Sequence, residues 1–177
     1  GAALTVYAPY TDVAVTGTGA IYGSVIADNL QAQGGAQLHY DEALGDVAAS
    51  KRMLIETGYV DSTKIGIIGG SYGGYMVLAA LTLQPDAFKA GVDLFGISNW
   101  VRTLTSVPPW WASFRDALYA EMGDPKTDSA RLRRISPLFN ADKIKAPLMV
   151  LQGANDPRVL KVESDENLAD VKKRRIP

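Results

Sequence analysis

Three scarcities limit what this chain can be. Its 177 residues include no cysteine, which excludes disulfides and thiolate metal sites, and one histidine, which argues against a histidine-built metal centre. No apolar run approaches the ~20 residues of a membrane-spanning helix, and the N-terminus lacks the basic start and apolar core of a secretory signal. We therefore expect a soluble, globular protein with no membrane partner, and the missing cysteine fits a cytoplasmic location.

Basic residues are absent from the first 50 positions, which carry five acids. Residues 51–177 hold all 18 lysines and arginines, so they are slightly basic although the chain has a net charge of -1. This excess is spread over predicted helices and includes the run 172–175, which is typical of a solvated helix end. Aromatic and basic residues do not alternate, so no nucleic-acid partner is expected.

Residues 1–40 differ in pattern from the rest of the chain. Short apolar segments separated by glycines and polar turns predict β-strands; they are Leu4–Ala8, Val13–Thr16, Ala20–Ile26 and Ala36–Tyr40. The glycine-punctuated pattern of 16–35 weakly resembles rungs of a bacterial β-solenoid, in which glycines allow tight corners. The alternative is that these strands form the early part of an α/β sheet. We treat 1–40 as a β-rich segment and 41–177 as a separate α/β domain.

From residue 41 onward, helical and strand patterns alternate. Helices are predicted at Asp41–Thr57, Tyr75–Leu83 and about Glu163–Lys173, and buried strands at Lys64–Ile68, Ala90–Gly96 and Pro147–Gln152. Such alternation predicts a mostly parallel sheet with right-handed crossovers.

The stretch Gly69–Gly74 fits the pattern G-x-S-x-G of a nucleophile elbow, in which a strand turns sharply into a helix and exposes one serine. Ser71 would occupy the strained tip, and Gly69 and Gly73 would be required because a Cβ beside the tip has no room. The plainer interpretation is a glycine-rich turn or phosphate cradle. Neither phosphate-loop pattern occurs here, so we favour the elbow.

About fifty residues separate the second and third predicted strands of the α/β domain. This excursion begins with an aromatic group that includes Trp110 and Trp111 and continues as a charged amphipathic piece, Arg115–Arg134. Excursions of this length often cover the ligand end of an α/β sheet. The two tryptophans could line an apolar substrate pocket or simply fasten the excursion to the core.

Four blocks in order, Gly69–Tyr75, Asp93–Trp100, Ser136–Leu138 and Gln152–Val159, make residues 41–177 resemble the catalytic domain of the prolyl oligopeptidase family, within its acylaminoacyl-peptidase and dipeptidyl-aminopeptidase branch. The resemblance implies a partial α/β-hydrolase fold that needs no cofactor and no metal. It implies Ser71 as nucleophile, the backbone N–H of Tyr72 as an oxyanion donor, and Asp156 as the acid that orients a histidine.

The histidine of that triad has no counterpart at the expected place. It should follow Asp156 by about thirty residues, but only 21 positions follow and none is histidine. We therefore expect the domain to be truncated at its C-terminus and impaired. His39, the one histidine, precedes Ser71 and is expected to have a structural or capping role.

Two functions from different classes remain open. One is a serine hydrolase, a peptidase or esterase that acts on peptide or ester substrates through an acyl-enzyme on Ser71. The other is a non-catalytic structural or interaction module, or a fusion product, that keeps a hydrolase scaffold. An unpaired sheet edge would also favour homo-oligomers.

Overall fold

The computed structural model describes residues 3–16, 20–33, 37–38 and 42–173. The chain divides into two compact units, Gly1–Ser50 and Lys51–Pro177, with the boundary inside helix α1, Glu42–Glu56. The expected boundary after residue 40 stays a prediction. His39 lies outside the described residues, so its expected structural role also stays a prediction.

The first unit contains parallel strands: β1 is Ala3–Thr16, β2 is Ala20–Gln33 and β3 is Gln37–Leu38. Paired residues are 19 apart in sequence up to Ala8 and 17 apart from Asp12 onward. A straight 14-residue strand would extend about 46 Å, and the three residues between β1 and β2 could not return the chain to its start. The pairing therefore fits a chain that winds into successive turns, with each turn pairing with the next, as in a β-solenoid.

The second unit is built on a three-stranded parallel sheet in the order β4-β5-β6. The strands are β4, Ile67–Gly70, β5, Gly91–Leu94, and β6, Leu148–Leu151. The expected parallel sheet is therefore present. Strand β4 starts three residues later than expected and runs directly into the elbow, where helix α2, Tyr72–Leu83, begins.

Only one face of this sheet is covered within Lys51–Lys173. Helix α2 packs on that face, and its Val77 and Leu81 are fully buried. On the opposite face, Ile68 and Met149 are aligned through Val92 and are 68% and 59% exposed. The expectation of fully buried strands is therefore wrong for one face, because neighbouring side chains of a strand point to opposite sides.

Between β5 and β6 lie short helices: α3, Trp100–Thr105, α4, Ala112–Met122, and α5, Ser129–Ile135, with 3-10 helices at Pro109–Trp111 and Pro137–Lys143. The expected single amphipathic piece at 115–134 is in fact two helices. Helix α4 ends at Gly123, which has a φ of 100°, a backbone conformation that residues other than glycine rarely adopt.

Glu163 joins the last helix to the segment that follows β5. It lies in α6, Lys161–Lys173, and is 2% exposed. Its Oε2 accepts hydrogen bonds from the backbone N–H of Ser98 (3.0 Å), the Ser98 hydroxyl (2.7 Å) and the backbone N–H of Asn99 (2.8 Å). Asn99 is the N-cap of α3. One carboxylate therefore satisfies three buried donors on a segment 64 or 65 residues away.

Glu163→Ala is expected to lower the free energy of unfolding by about 3 kcal/mol or more, because several buried donors lose their acceptor together. Urea unfolding followed by circular dichroism measures this loss. Glu166→Ala is the matched control: Glu166 also pairs with Arg102, but its side chain is 44% exposed, so the loss should stay below about 1 kcal/mol. Equal losses would show that the Glu163 network contributes little.

Candidate active site

Ser71 lies at the turn between β4 and α2 and is exposed. Its φ of 56° and ψ of −116° are unusual for a residue with a side chain, and its backbone N–H donates to the carbonyl of Leu94 at 2.9 Å. The strand, the turn and the helix that the glycine pattern predicts are therefore present. The turn exposes a hydroxyl at the carboxyl end of the sheet, where α/β folds bind ligands.

The glycines of the elbow differ in what they do. A Cβ on Gly69 would lie 2.5 Å from the carbonyl carbon of Gly73, so Gly69 is required by close approach. A Cβ on Gly73 would meet nothing within 4 Å, so the expected steric reason for Gly73 is wrong. Gly74 carries that constraint instead, since its Cβ would lie 2.6 Å from the Cα of Gly96. The sequence pattern could not separate these positions because it does not show which neighbour approaches.

Ser71 and Asp156 line the same cleft, which has a volume of about 730 Å³. Phe95 and Arg158 form further parts of its wall. Asp156 follows β6, and Ser71 follows β4. Because parallel strands end at the same edge of a sheet, two residues 85 positions apart in sequence face one space.

The turn that carries Asp156 is fixed by hydrogen bonds that sequence reasoning missed. Asp156 Oδ1 accepts from the backbone N–H groups of Arg158 (2.8 Å) and Val159 (3.0 Å). Gln152 closes the turn from the strand side: its Nε2 donates to the Val159 carbonyl (3.0 Å), and its Oε1 accepts from the Ser164 hydroxyl (3.0 Å). The one sequence feature that could have indicated these hydrogen bonds is Gln152, a polar side chain at the end of a predicted buried strand.

Trp110 and Trp111 line a second pocket, of about 240 Å³, that shares Pro157 and Arg158 with the first. The Arg158 guanidinium lies 5.6 Å from the centre of the Trp111 ring, a cation–π distance. Trp110 is 73% exposed, so most of its side-chain surface is accessible. Both tryptophans are therefore close to the cleft that contains Ser71.

An aromatic cluster supports the start of α2. Trp100 is 2% exposed, and its ring centre lies 5.1 Å from Tyr75, in an edge-to-face arrangement, and 6.0 Å from Tyr72. Tyr72 is the first residue of α2, so its backbone N–H lies at the positive end of the helix dipole, beside Ser71. The rings fix the helix end from which that N–H projects.

Asp93 is a buried carboxyl group beneath the elbow. It lies in β5, is 1% exposed, and pairs in the sheet register with Gly69. Burial raises the pKa of the Asp93 carboxyl to about 6, and the nearby backbone N–H of Gly96 offsets this rise only in part. Sequence reasoning did not single out Asp93, because an aspartate in a short apolar run gives no sign of which face it occupies.

Two general features frame the site. No helix among the described residues is both long and apolar enough to cross a bilayer. Within the same described ranges, no three acidic or histidine side chains gather where they could share a metal ion.

A parallel sheet with a serine elbow at its carboxyl edge defines the class as α/β-hydrolase. Comparison with known families is consistent with that class: the model of the prolyl oligopeptidase family (Peptidase_S9) matches residues 29–177. The chain belongs to this serine peptidase family, and the resemblance inferred from the four sequence blocks is confirmed. A second model, of a domain of unknown function (DUF7305), matches residues 3–47.

Among curated relatives, dipeptidyl aminopeptidase BIII of Pseudoxanthomonas mexicana is 46% identical over 134 residues, 75% of this chain and 19% of that protein. Dipeptidyl peptidase family member 6 of Caenorhabditis elegans is 35% identical over 159 residues, 88% of this chain and 21% of that protein. The chain thus spans about a fifth of the length of these relatives.

Solved structures give the same fold. A puromycin-hydrolyzing peptidase of Mycobacterium tuberculosis matches 76% of this chain and 20% of its own, with a TM-score of 0.69 and 30% identity. Acylaminoacyl peptidase of Pyrococcus horikoshii matches 75% of this chain and 21% of its own, with a TM-score of 0.66 and 32% identity. The second unit is therefore part of an α/β-hydrolase fold.

The elbow glycines provide a matched pair of substitutions. Gly69→Ala should lower the free energy of unfolding by about 2 kcal/mol or more, because the backbone of Gly73 must shift. Gly73→Ala should be neutral or slightly stabilising, since its Cβ enters open space and alanine favours the first turn of a helix. Urea denaturation of both variants tests this ranking, and equal effects would contradict it.

Asp93→Asn is expected to change how stability depends on pH. The folded-state pKa of about 6 exceeds the unfolded value of about 3.9, so folded protein binds the extra proton between these values and loses stability as pH rises through that window. Asparagine stays neutral throughout. The variant should therefore gain up to about 3 kcal/mol relative to the parent between pH 4 and 7.

Urea unfolding of both proteins at pH 4.5 and pH 7.5 measures this difference. The titration of other carboxyl groups cancels in the comparison because both chains share them. Stability profiles that run parallel across this range would mean that Asp93 is not buried in its charged form.

Proposed function

We propose that this chain carries the nucleophile and the acid of a serine hydrolase site that cleaves peptide or ester bonds through an acyl-enzyme on Ser71. The observation that supports this most directly is that exposed Ser71, held at a positive φ, and Asp156 line one cleft. Membership of a serine peptidase family makes peptides the first substrate class to consider.

In the proposed reaction, the Ser71 hydroxyl attacks the substrate carbonyl and forms a tetrahedral oxyanion. The backbone N–H of Tyr72, at the N-terminus of α2, donates a hydrogen bond to that oxygen. The Ser71 proton passes to solvent water, and a proton from water reaches the leaving amine or alcohol as the C–N or C–O bond breaks; a further water then hydrolyses the acyl ester and restores the Ser71 hydroxyl. Asp156 would accept from an imidazole through Oδ2, since Oδ1 already accepts two backbone N–H groups.

The rate that this 177-residue chain can reach is limited because it has no histidine after Asp156 to act as the general base. Its one histidine, His39, precedes Ser71. We propose that turnover is impaired to the level that oxyanion stabilisation and binding alone provide, about 10³–10⁴ over water in serine proteases.

Trp110 and Trp111 are proposed to bind the substrate side chain. They line an apolar pocket of about 240 Å³ next to the nucleophile cleft, a volume suited to one side chain or one small acyl group. The names of the relatives, dipeptidyl aminopeptidase and acylaminoacyl peptidase, fit a substrate with such a group beside the scissile bond.

A fluorophosphonate probe tests the nucleophile directly. We expect slow, covalent labelling located at Ser71 by tandem mass spectrometry, together with weak hydrolysis of an activated ester. Ser71→Ala should abolish both because the attacking oxygen is removed. Ser62→Ala, which changes an exposed loop serine, is the matched control and should label like the parent chain.

Three other results would contradict parts of the proposal. A folded parent chain that does not label would favour the non-catalytic module. Labelling that survives in Ser71→Ala would place the nucleophile elsewhere. Turnover at the level of an intact family enzyme would overturn the account of the missing base.

A further inference from the structure

Asp93 has no part in the reaction steps above, and its burial is not explained by stability. Its side chain is 1% exposed, and Oδ1 accepts no hydrogen bond from the described residues. A buried carboxyl without full hydrogen bonding costs free energy, more so when it is charged. The position of its oxygen atoms gives a different reason for an acid here.

The carboxyl occupies a slot between two glycines. Oδ1 lies where a side chain on Gly74 or on Gly96 would begin, so neither position can carry a Cβ while Asp93 is in place. The two glycines also approach each other, since a Cβ on Gly96 would lie 2.6 Å from the carbonyl carbon of Gly74. Asp93 thus contacts the first turn of α2 and the turn that follows β5.

These two turns carry the strained residues of the site. Among the described residues, the non-glycine positions with positive φ are Ser71 (56°) and Phe95 (44°). The Leu94 carbonyl accepts the Ser71 N–H, and the Phe95 ring packs over Gly70 and lines the nucleophile cleft. Strained backbone persists only where its surroundings fix it from several sides.

We propose that Asp93 is a positioning residue, whose carboxyl sets the spacing between the first turn of α2 and the Leu94–Gly96 turn and so holds Ser71 and Phe95 in their strained conformations. This inference rests on the proposed nucleophilic role of Ser71 and deepens it. Asp93 does not reach the cleft; it acts through Gly74 and Gly96.

Two substitutions separate the shape of the carboxyl from its charge. Asp93→Ala empties the slot, so the turns can shift and the Ser71 hydroxyl loses its alignment. We expect the rate of fluorophosphonate labelling to fall by about 10-fold or more, in the maximum rate and not in probe affinity. Asp93→Asn fills the slot with a group of the same size, so its labelling rate should stay close to that of the parent chain.

Thr82→Ala is the matched control. Thr82 is fully buried near the other end of α2, and its hydroxyl bonds within the helix, to the Leu78 carbonyl at 2.8 Å. This variant removes a buried polar group from the same helix without touching the elbow. If Asp93→Ala labels slowly only because the protein is less stable, then Thr82→Ala should label just as slowly when the two variants lose the same free energy of unfolding.

A second measurement does not depend on catalysis. The Ser71 amide donates to Leu94, so its hydrogen exchange, followed by NMR, reports the elbow directly. We expect faster exchange in Asp93→Ala and parent-like exchange in Asp93→Asn and Thr82→Ala. If the parent chain fails to label while this exchange pattern holds, the proposed function is wrong and the positioning role stands.

The positioning role is overturned by either of two results. The first is an Asp93→Ala protein with parent-like labelling and parent-like Ser71 exchange. The second is an Asp93→Asn protein as impaired as Asp93→Ala, which would show that filling the slot is not what matters.

Discussion

The close approach of the first turn of α2 to the ends of β4 and β5 is the constraint on which the site depends. Ser71 can be exposed at a positive φ only because the backbone beside it comes unusually near its neighbours, which requires glycine at 69, 74 and 96. The helix begins at Tyr72, so the same contact aims the start of the helix at the cleft. Ser71, the N-terminus of α2 and the cleft wall are therefore placed by one packing contact.

The elbow was predictable because its requirements are local. A short apolar run, a glycine-serine-glycine pattern and an apolar helix lie within about twenty residues, and each constrains the next. The roles of individual glycines were not predictable. Gly69 and Gly73 are symmetric about Ser71 in sequence, yet only Gly69 faces a neighbouring backbone. Which neighbour approaches depends on the direction in which α2 leaves β4, and the sequence pattern does not give that direction.

The missed residues share a different property: their partners are distant in sequence. Glu163 is an ordinary helix residue by its neighbours, and its importance lies in donors at Ser98 and Asn99. Asp93 likewise has partners at Gly74 and Gly96 that no local pattern connects. The prediction that the strands are buried on both faces was wrong for a related reason. Ile68 and Met149 have apolar neighbours on both sides in sequence, and only the assembled sheet shows that their face is uncovered within Lys51–Lys173.

The turn that carries Asp156 is organised by hydrogen bonds of the scaffold. A carboxylate that the fold already holds in one direction needs no reorientation when it acts on a partner. Two backbone N–H groups fix Asp156 Oδ1 within its own turn, while Gln152 and Ser164 fasten that turn to β6 and α6. Glu163, on the same helix, fastens α6 to the segment after β5, which also borders the elbow. The positions of Ser71 and Asp156, which line one cleft, are therefore coupled through hydrogen bonds and packing of the scaffold.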